Sequence, residues 1–207
     1  MPELRVIDGD KQSAKKPEEL SDDELMLLVK ADHRLAFSTL VRRHQSLILT
    51  YADRYVGSRD LARDIAQETF VTLWQSRKRY EPQGRFKSYL LAITHNRCRE
   101  RARRERGQRD RAEAVAREEQ PSASASGDAS AQPPLEQLLE RERALQVRAQ
   151  LSQLDSKMRD ALLMRFAAEL SYEEIAEMTG RRVGTLKSHV CRALQRLRAQ
   201  LAEEYRA

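Results

Sequence analysis

The stretch from Leu170 to Leu201, LSYEEIAEMTGRRVGTLKSHVCRALQRLRAQL, most narrows what this chain can fold into. Ser171 and Glu174 stand at capping-box spacing, so the serine oxygen and the glutamate carboxylate can satisfy the first free amides of a helix reciprocally. Ile175, Ala176 and Met178 give that short helix an apolar side. Gly180 then falls where a left-handed C-cap is expected, a conformation that glycine takes without steric cost. In the second helix Val183, Leu186, Val190, Ala193, Leu194, Leu197 and Leu201 follow a near-3.6-residue period. Arg181, Gly184, Thr185, Ser188, Arg192 and Gln195 turn away from that stripe, with Lys187 and His189 on its flanks. A short helix, a glycine turn and a longer helix with a basic, small-polar outer face spell a helix-turn-helix, whose second helix can enter a major groove. A basic amphipathic hairpin within a bundle is the plainer alternative, but cap, glycine and small outward residues all agree on the first.

Composition narrows the setting. Of 207 residues, 34% are charged and only 5% aromatic, so any core is small and mostly aliphatic. A net charge of +6 favours a polyanionic partner, nucleic acid before membrane. Cys98 and Cys191 are far apart, which argues against a disulfide framework and for a reducing compartment. The first residues lack an apolar signal region, and no run of about 18 apolar residues occurs. The expectation is a soluble, cytoplasmic chain.

Residues 1–19 are polar and are expected to be disordered. Helical patterning starts at Ser21, again three residues before a glutamate, Glu24. It continues through Leu25, Leu28, Val29, Phe37, Leu40, Val41, Leu47, Ile48, Tyr51 and Tyr55, until Gly57-Ser58 breaks it. Strand signals are absent, so the class is all-α. The next helix, Asp60 to Arg77, turns Leu61, Ile65, Phe70, Leu73 and Trp74 inward. Asp64, Gln67, Glu68, Val71 and Gln75 share another face, readable as a solvated surface or as a docking face for a basic partner. Pro82 and Gly84 make Arg79 to Phe86 a loop, in which Arg79, Tyr80 and Arg85 can stack on bases or pair with phosphate. Phe86 opens a helix packed by Tyr89, Leu90 and Ile93, whose far half is an arginine run from Arg97 to Arg106.

Residues 118–134, EEQPSASASGDASAQPP, have linker composition, and stretched out they reach roughly 55–60 Å. The expected architecture is two small helical domains, 20–106 and 135–207, joined by a flexible linker over 107–134. The second is a helix-turn-helix, winged-helix-like domain. It begins with a helix from Leu135 to about Leu151 and a further one capped by Asp155, carrying Met158, Ala161, Leu162, Met164 and Phe166. Arg182 takes the N-cap position of the recognition helix, where Ser, Thr or Asp is preferred.

Three segments in this order resemble the extracytoplasmic-function group of bacterial RNA polymerase sigma factors, within the sigma-70 family. ARDIAQETFVTLW is similar to that family's core-docking helix. GRFKSYLLAITHNRCRERARR is similar to its promoter-melting, minus-ten-reading segment, and the helix-turn-helix to its minus-thirty-five reader. Arg63, Tyr89, Glu100 and Arg182 differ from the residues common in the family. The resemblance implies a transcription initiation factor that binds core RNA polymerase and promoter DNA, commonly partnered by an anti-sigma inhibitor, with no cofactor. It implies that Asp64, Gln67 and Glu68 dock on the polymerase, and that the segment from Tyr80 to Lys87, with Asn96, captures a flipped minus-ten base. The arginines Arg97, Arg99, Arg101, Arg103 and Arg104 suit phosphates. Thr185, Ser188 and Arg192 are the base-edge candidates in the major groove, while Arg181, Arg182 and Lys187 suit backbone.

Two rival readings remain. A stand-alone helix-turn-helix regulator explains the second domain but leaves the loop, the arginine helix and the acidic stripe without roles. For an enzyme, no phosphate-cradling glycine loop, paired catalytic carboxylates or Ser-His-Asp set can be assembled. His95 and Cys98 offer two metal ligands on one helical face and lack two more. His33, His44 and His189 read as surface or packing residues.

Overall fold

The computed structural model describes residues 16–116 and, apart from 148 and 152, residues 146–204. Local chemistry sets the helix ends. Helix α1 (Asp22–Lys30) begins at Ser21, which accepts from the Glu24 amide at 3.3 Å while its own amide donates to the Glu24 carboxylate at 2.7 Å. The apolar period from Leu25 to Val41 suggested one continuous helix, but α1 stops at a left-handed Asp32, φ 65°. Aspartate tolerates that conformation, and its carboxylate is held here by Arg77 and Lys78. The Arg77 guanidinium, then the Lys78 ammonium, keep the Asp32 carboxyl below its ordinary value. His33, read from sequence as surface or packing, is the N-cap of α2 (Arg34–Val56): its Nδ1 accepts from the Ala36 amide at 3.1 Å.

Gly57 ends α2 at φ 77°, and Ser58 caps α3 (Arg59–Ser76), the break that Gly57-Ser58 predicted. Helix α4 (Phe86–Ala116) follows the loop. The second unit contains α5 (Ser156–Phe166), α6 (Tyr172–Thr179) and α7 (Val183–Glu204). As expected, Asp155 caps α5, Ser171 and Glu174 form a capping box on α6, and Gly180 is left-handed at φ 67°.

In the first unit α2 packs on α3 and α4 with α1 across it, around the buried Leu25, Leu40, Ile48, Leu73 and Leu90. In the second, α5 and α6 pack on α7 around Leu163, Ile175, Leu186 and Val190. Leu194, which its period put on the inward stripe, is exposed, as is Phe166. No strand occurs among the described residues, so the helix-turn-helix carries no wing there.

The boundaries differ from expectation at two points. Pro17–Glu19 form a 3-10 turn rather than disordered chain, pinned by Arg43, which donates to the Glu18 and Leu20 carbonyls at 2.7 and 2.8 Å. Helix α4 continues to Ala116, ten residues past the expected end at Arg106. Its sequence there is rich in alanine and arginine, and one glycine, Gly107, costs a helix only about 1 kcal/mol. Residues 1–15, the low-complexity segment 118–134 and the expected helix from Leu135 lie outside the described residues, save for helical positions from 146 onward.

Candidate nucleic-acid and docking surfaces

The loop between α3 and α4 is held from below by the first turn of α1. Asp23 accepts from the Tyr80 hydroxyl and from the Gly84 amide, and Lys30 Nζ donates to the Tyr80 carbonyl at 2.7 Å. The Tyr80 ring is therefore turned into the bundle rather than presented to bases. The residue is 4% exposed, its ring set against Phe86 and Tyr89, and burial with the Asp23 carboxylate pushes its hydroxyl well above the ordinary phenol range. An aromatic in a Pro/Gly loop gave no sign of which side it faced, and Asp23 was missed for want of any local signal. What the loop does present is Glu81 to Arg85, all exposed, with Lys87 half-buried behind them. Tyr80→Phe should therefore lower stability by about 1.5–3 kcal/mol, the value of a hydrogen bond to a charged partner. Chemical denaturation measures this; an unchanged midpoint would return Tyr80 to the stacking role.

The arginine run does not form one phosphate surface, because helical periodicity divides it. Arg97, Arg101 and Arg104 share a side with Asp64 and Glu68 of α3, lining a crevice with Glu100. Arg97 is used internally, donating to Thr72 Oγ1 at 2.9 Å and to Glu100 at 3.3 Å. Arg104 pairs with Glu100 at 2.6 Å. Arg99 and Arg103 lie with Asn96 on a different side, along a cleft of about 510 Å³ that Tyr55, Ser156 and Arg159 complete. Sequence counted the charges; only the helix packing shows that Arg97, Arg101 and Arg104 belong to the α3 side.

Asp64, Gln67 and Glu68 are all exposed on α3. Beside them lies a groove of about 690 Å³ whose exposed lining is almost wholly apolar, formed by Phe37, Val41, Phe70, Val71 and Trp74. Phe37 meets Trp74 edge-on at 5.0 Å, and Val71 remains 48% exposed. The polar stripe is thus the rim of an apolar trough. Phe37 and Val41, read from sequence only as part of an apolar period, join this trough because they come from α2 and meet α3 only in three dimensions.

On α7 the outward set stands as the period predicted. Thr185, Ser188 and Arg192 are exposed, as are Arg182 and Lys187. Ser188 Oγ returns a bond to the Gly184 carbonyl at 3.0 Å. The Arg182 carbonyl accepts from the Thr185 and Leu186 amides, so Arg182 holds the N-cap position with its side chain free to point outward. Lys187 lies over the Tyr172 ring at 5.7 Å, at the edge of the recognition face. Arg181 departs from the set: it is half-buried, and its charge bears on His95 of the first unit.

His95 is 5% exposed, with Nδ1 at 2.9 Å from the Tyr51 hydroxyl and Nε2 at 3.7 Å from Asp160. Burial, aided by Arg99, Arg181 and Arg159 and opposed by Asp160, lowers its pKa to about 4. The same burial pushes the neighbouring Cys98 thiol up to about 12, and among the described residues no metal-holding cluster forms around the pair. The folded chain thus keeps His95 neutral where the unfolded chain binds a proton. Stability should fall as pH drops from about 6.5 towards 4, by at most roughly 3 kcal/mol. Denaturation against pH checks this, and His95→Gln should flatten that stretch of the profile.

Residues 40–108 match the family profile Sigma-70 region 2, and residues 144–197 match Sigma-70, region 4. CarQ, an RNA polymerase sigma factor of Myxococcus xanthus, is 31% identical over 81% of this chain and 90% of its own length. The chain belongs to the extracytoplasmic-function sigma factors of the sigma-70 family. It is 34% identical to SigE of Mycolicibacterium smegmatis over 81% of this chain, spanning 62% of SigE's length. It is 29% identical to the sigma-E factor of Escherichia coli K12, over 85% of this chain and 92% of that one. CnrH, solved in complex with the cytosolic domain of CnrY, shares the fold at TM-score 0.65 and 21% identity, covering 88% of this chain and 97% of CnrH. As a sigma factor the protein binds core RNA polymerase, recognises promoters and initiates transcription; it is a non-catalytic subunit.

Proposed function

We propose that this sigma factor divides its work among three surfaces. The α3 rim of Asp64, Gln67 and Glu68, with the apolar trough beside it, docks on core polymerase. The loop from Glu81 to Lys87 and Asn96 select the minus-ten base, with Arg99 and Arg103 on the phosphates of that strand. Thr185, Ser188 and Arg192 read the minus-thirty-five major groove while Arg182 and Lys187 hold its backbone. The observation that carries this reading is the separation of the exposed sets: a polar rim on apolar lining, a loop at the head of a basic helix, and a small-polar helix face. Flipping a base costs a few kcal/mol of unstacking, so a shaped loop must offset it, whereas phosphate contacts discriminate no sequence. Arg97, Arg101 and Arg104 border the docking rim and are assigned to the polymerase side.

The domain assignment, 20–106 for region 2 and 135–207 for region 4, follows the same division, with the chain between them as a tether. A cytoplasmic location suits two free cysteines, and among the described residues no helix is long and apolar enough to cross a membrane. An anti-sigma partner is proposed by analogy with RpoE of Bartonella quintana, solved with the anti-sigma factor NepR and sharing the fold at TM-score 0.53 and 23% identity. The test is promoter-library transcription with core polymerase, comparing the parent with a graft of residues 81–87 from a relative of different minus-ten preference. The graft should carry the new minus-ten preference and leave the minus-thirty-five preference unchanged. An active graft that keeps the parental minus-ten choice removes the loop from the reading.

A further inference from the structure

Two consecutive aspartates open α1, and they hold different things. Asp22 faces α2: it accepts from Arg43 at 2.9 Å and lies 2.7 Å from His44 Nε2. The buried His44 ring lies in turn against Phe86, the first residue of α4, at 5.2 Å. The start of α1 is thereby fixed between α2 and α4, and its capping box closes the first turn. Asp23, one position on, is turned to the loop. Its Oδ1 accepts from the Tyr80 hydroxyl and its Oδ2 from the Gly84 amide, the latter at 2.5 Å. At the far end of α1, Lys30 Nζ donates to the Tyr80 carbonyl, and Lys78 Nζ donates to the Lys30 carbonyl, each at 2.7 Å.

One carboxylate thus ties both ends of the exposed part of the loop. Between Tyr80 and Gly84 lie only Glu81, Pro82 and Gln83, all exposed. Gly84 is left-handed at φ 71°, which turns the chain back towards α4, and Pro82 has its own φ fixed by its ring. A loop left free takes many shapes, and ordering it on a ligand costs affinity that a preset loop does not lose. A free loop also rearranges around a wrong base as readily as around the right one, whereas a fixed one leaves the wrong base unpaired. We infer that Asp23 is a positioning residue for minus-ten selection: by holding Tyr80 and Gly84 together it presets the loop that receives the flipped base. Promoter choice is then set in part by a residue of α1 that stands behind the loop. The inference deepens the minus-ten reading given above and rests on it.

The test uses holoenzyme reconstituted from core polymerase and the full chain. It transcribes promoter libraries randomised over the minus-ten element and, separately, over the minus-thirty-five element. Asp23→Ala removes both bonds. Asp23→Asn keeps the shape, with an oxygen for the Gly84 amide and an N–H that can donate to the Tyr80 oxygen. Asp23→Ala should lower discrimination among minus-ten bases at least several-fold, with minus-thirty-five discrimination and core affinity at the parental values. Asp23→Asn should restore most of that loss. Tyr80→Phe cuts one of the two bonds and should fall between them; it carries the test if circular dichroism shows Asp23→Ala unfolded. A merely structural role would lower transcription from all promoters alike. That even loss, unchanged minus-ten discrimination in the folded variants, or an Asp23→Asn as poor as Asp23→Ala would overturn the inference. The graft of residues 81–87, run alongside, reports on the reading beneath it. If the graft moves the minus-ten preference while Asp23→Ala keeps full discrimination, the inference falls alone. If the graft keeps the parental preference, the loop reading falls and the inference with it.

Discussion

Arg192→Ala is expected to cost roughly 1–3 kcal/mol in binding at a single base position of the minus-thirty-five element, and to relax the preference there. Arg192 is exposed on the outward face of α7, in line with Thr185 and Ser188. Its guanidinium can bond both acceptors of a guanine edge, and alanine leaves those acceptors unread. Lys187 provides the contrast. It flanks that face over the Tyr172 ring and carries a point charge suited to phosphate. Lys187→Ala should therefore weaken binding evenly across sequences and flatten the dependence of log affinity on log salt by about one unit. Binding measured over a minus-thirty-five library at several salt concentrations separates the two. If both substitutions change sequence preference alike, α7 is docked differently from this assignment.

The second large effect is expected at the polymerase face. Gln67→Ala with Glu68→Ala removes two rim contacts, and Val71→Asp places a charge in the middle of the apolar trough formed with Phe37, Phe70 and Trp74. Rim residues of interfaces contribute modestly while central, desolvated ones dominate, often at 2 kcal/mol or more. The double alanine variant should thus weaken core binding by roughly tenfold and Val71→Asp by more, about 2 kcal/mol or above. Both changes fall on exposed positions, so helical content and melting temperature should stay close to those of the parent. Titration of labelled sigma factor with core polymerase reads the effect. Equal affinity for parent and both variants would make the face ordinary solvated surface.

Local patterns carried the reading where the physics is local. Ser21, Asp155 and Ser171 cap helices because a side-chain oxygen reaches an amide two or three residues away. Gly57 and Gly180 take the left-handed conformation that helix ends demand. The outward set on α7 needed only a 3.6-residue period and one buried stripe. These features, taken in order, were enough for the fold class, the helix-turn-helix and the resemblance to sigma factors.

What only the tertiary structure decided involves residues far apart in the chain. Tyr80 looked available because nothing near it announced Asp23, 57 positions earlier, as its partner. Arg97, Arg101 and Arg104 counted with the rest of an arginine run until the packing of α4 on α3 put them beside Asp64 and Glu68. His33 and Asp32 broke an apolar period that looked continuous, because Arg77 and Lys78 hold the turn from across the bundle. Asp160 carried no signal whatever, since a lone aspartate on an amphipathic helix reads as solvated until Tyr55, His95 and Arg99 close over it. Periodicity and caps are written within a turn or two of the chain; which face a side chain finally meets is fixed by the helix that packs against it.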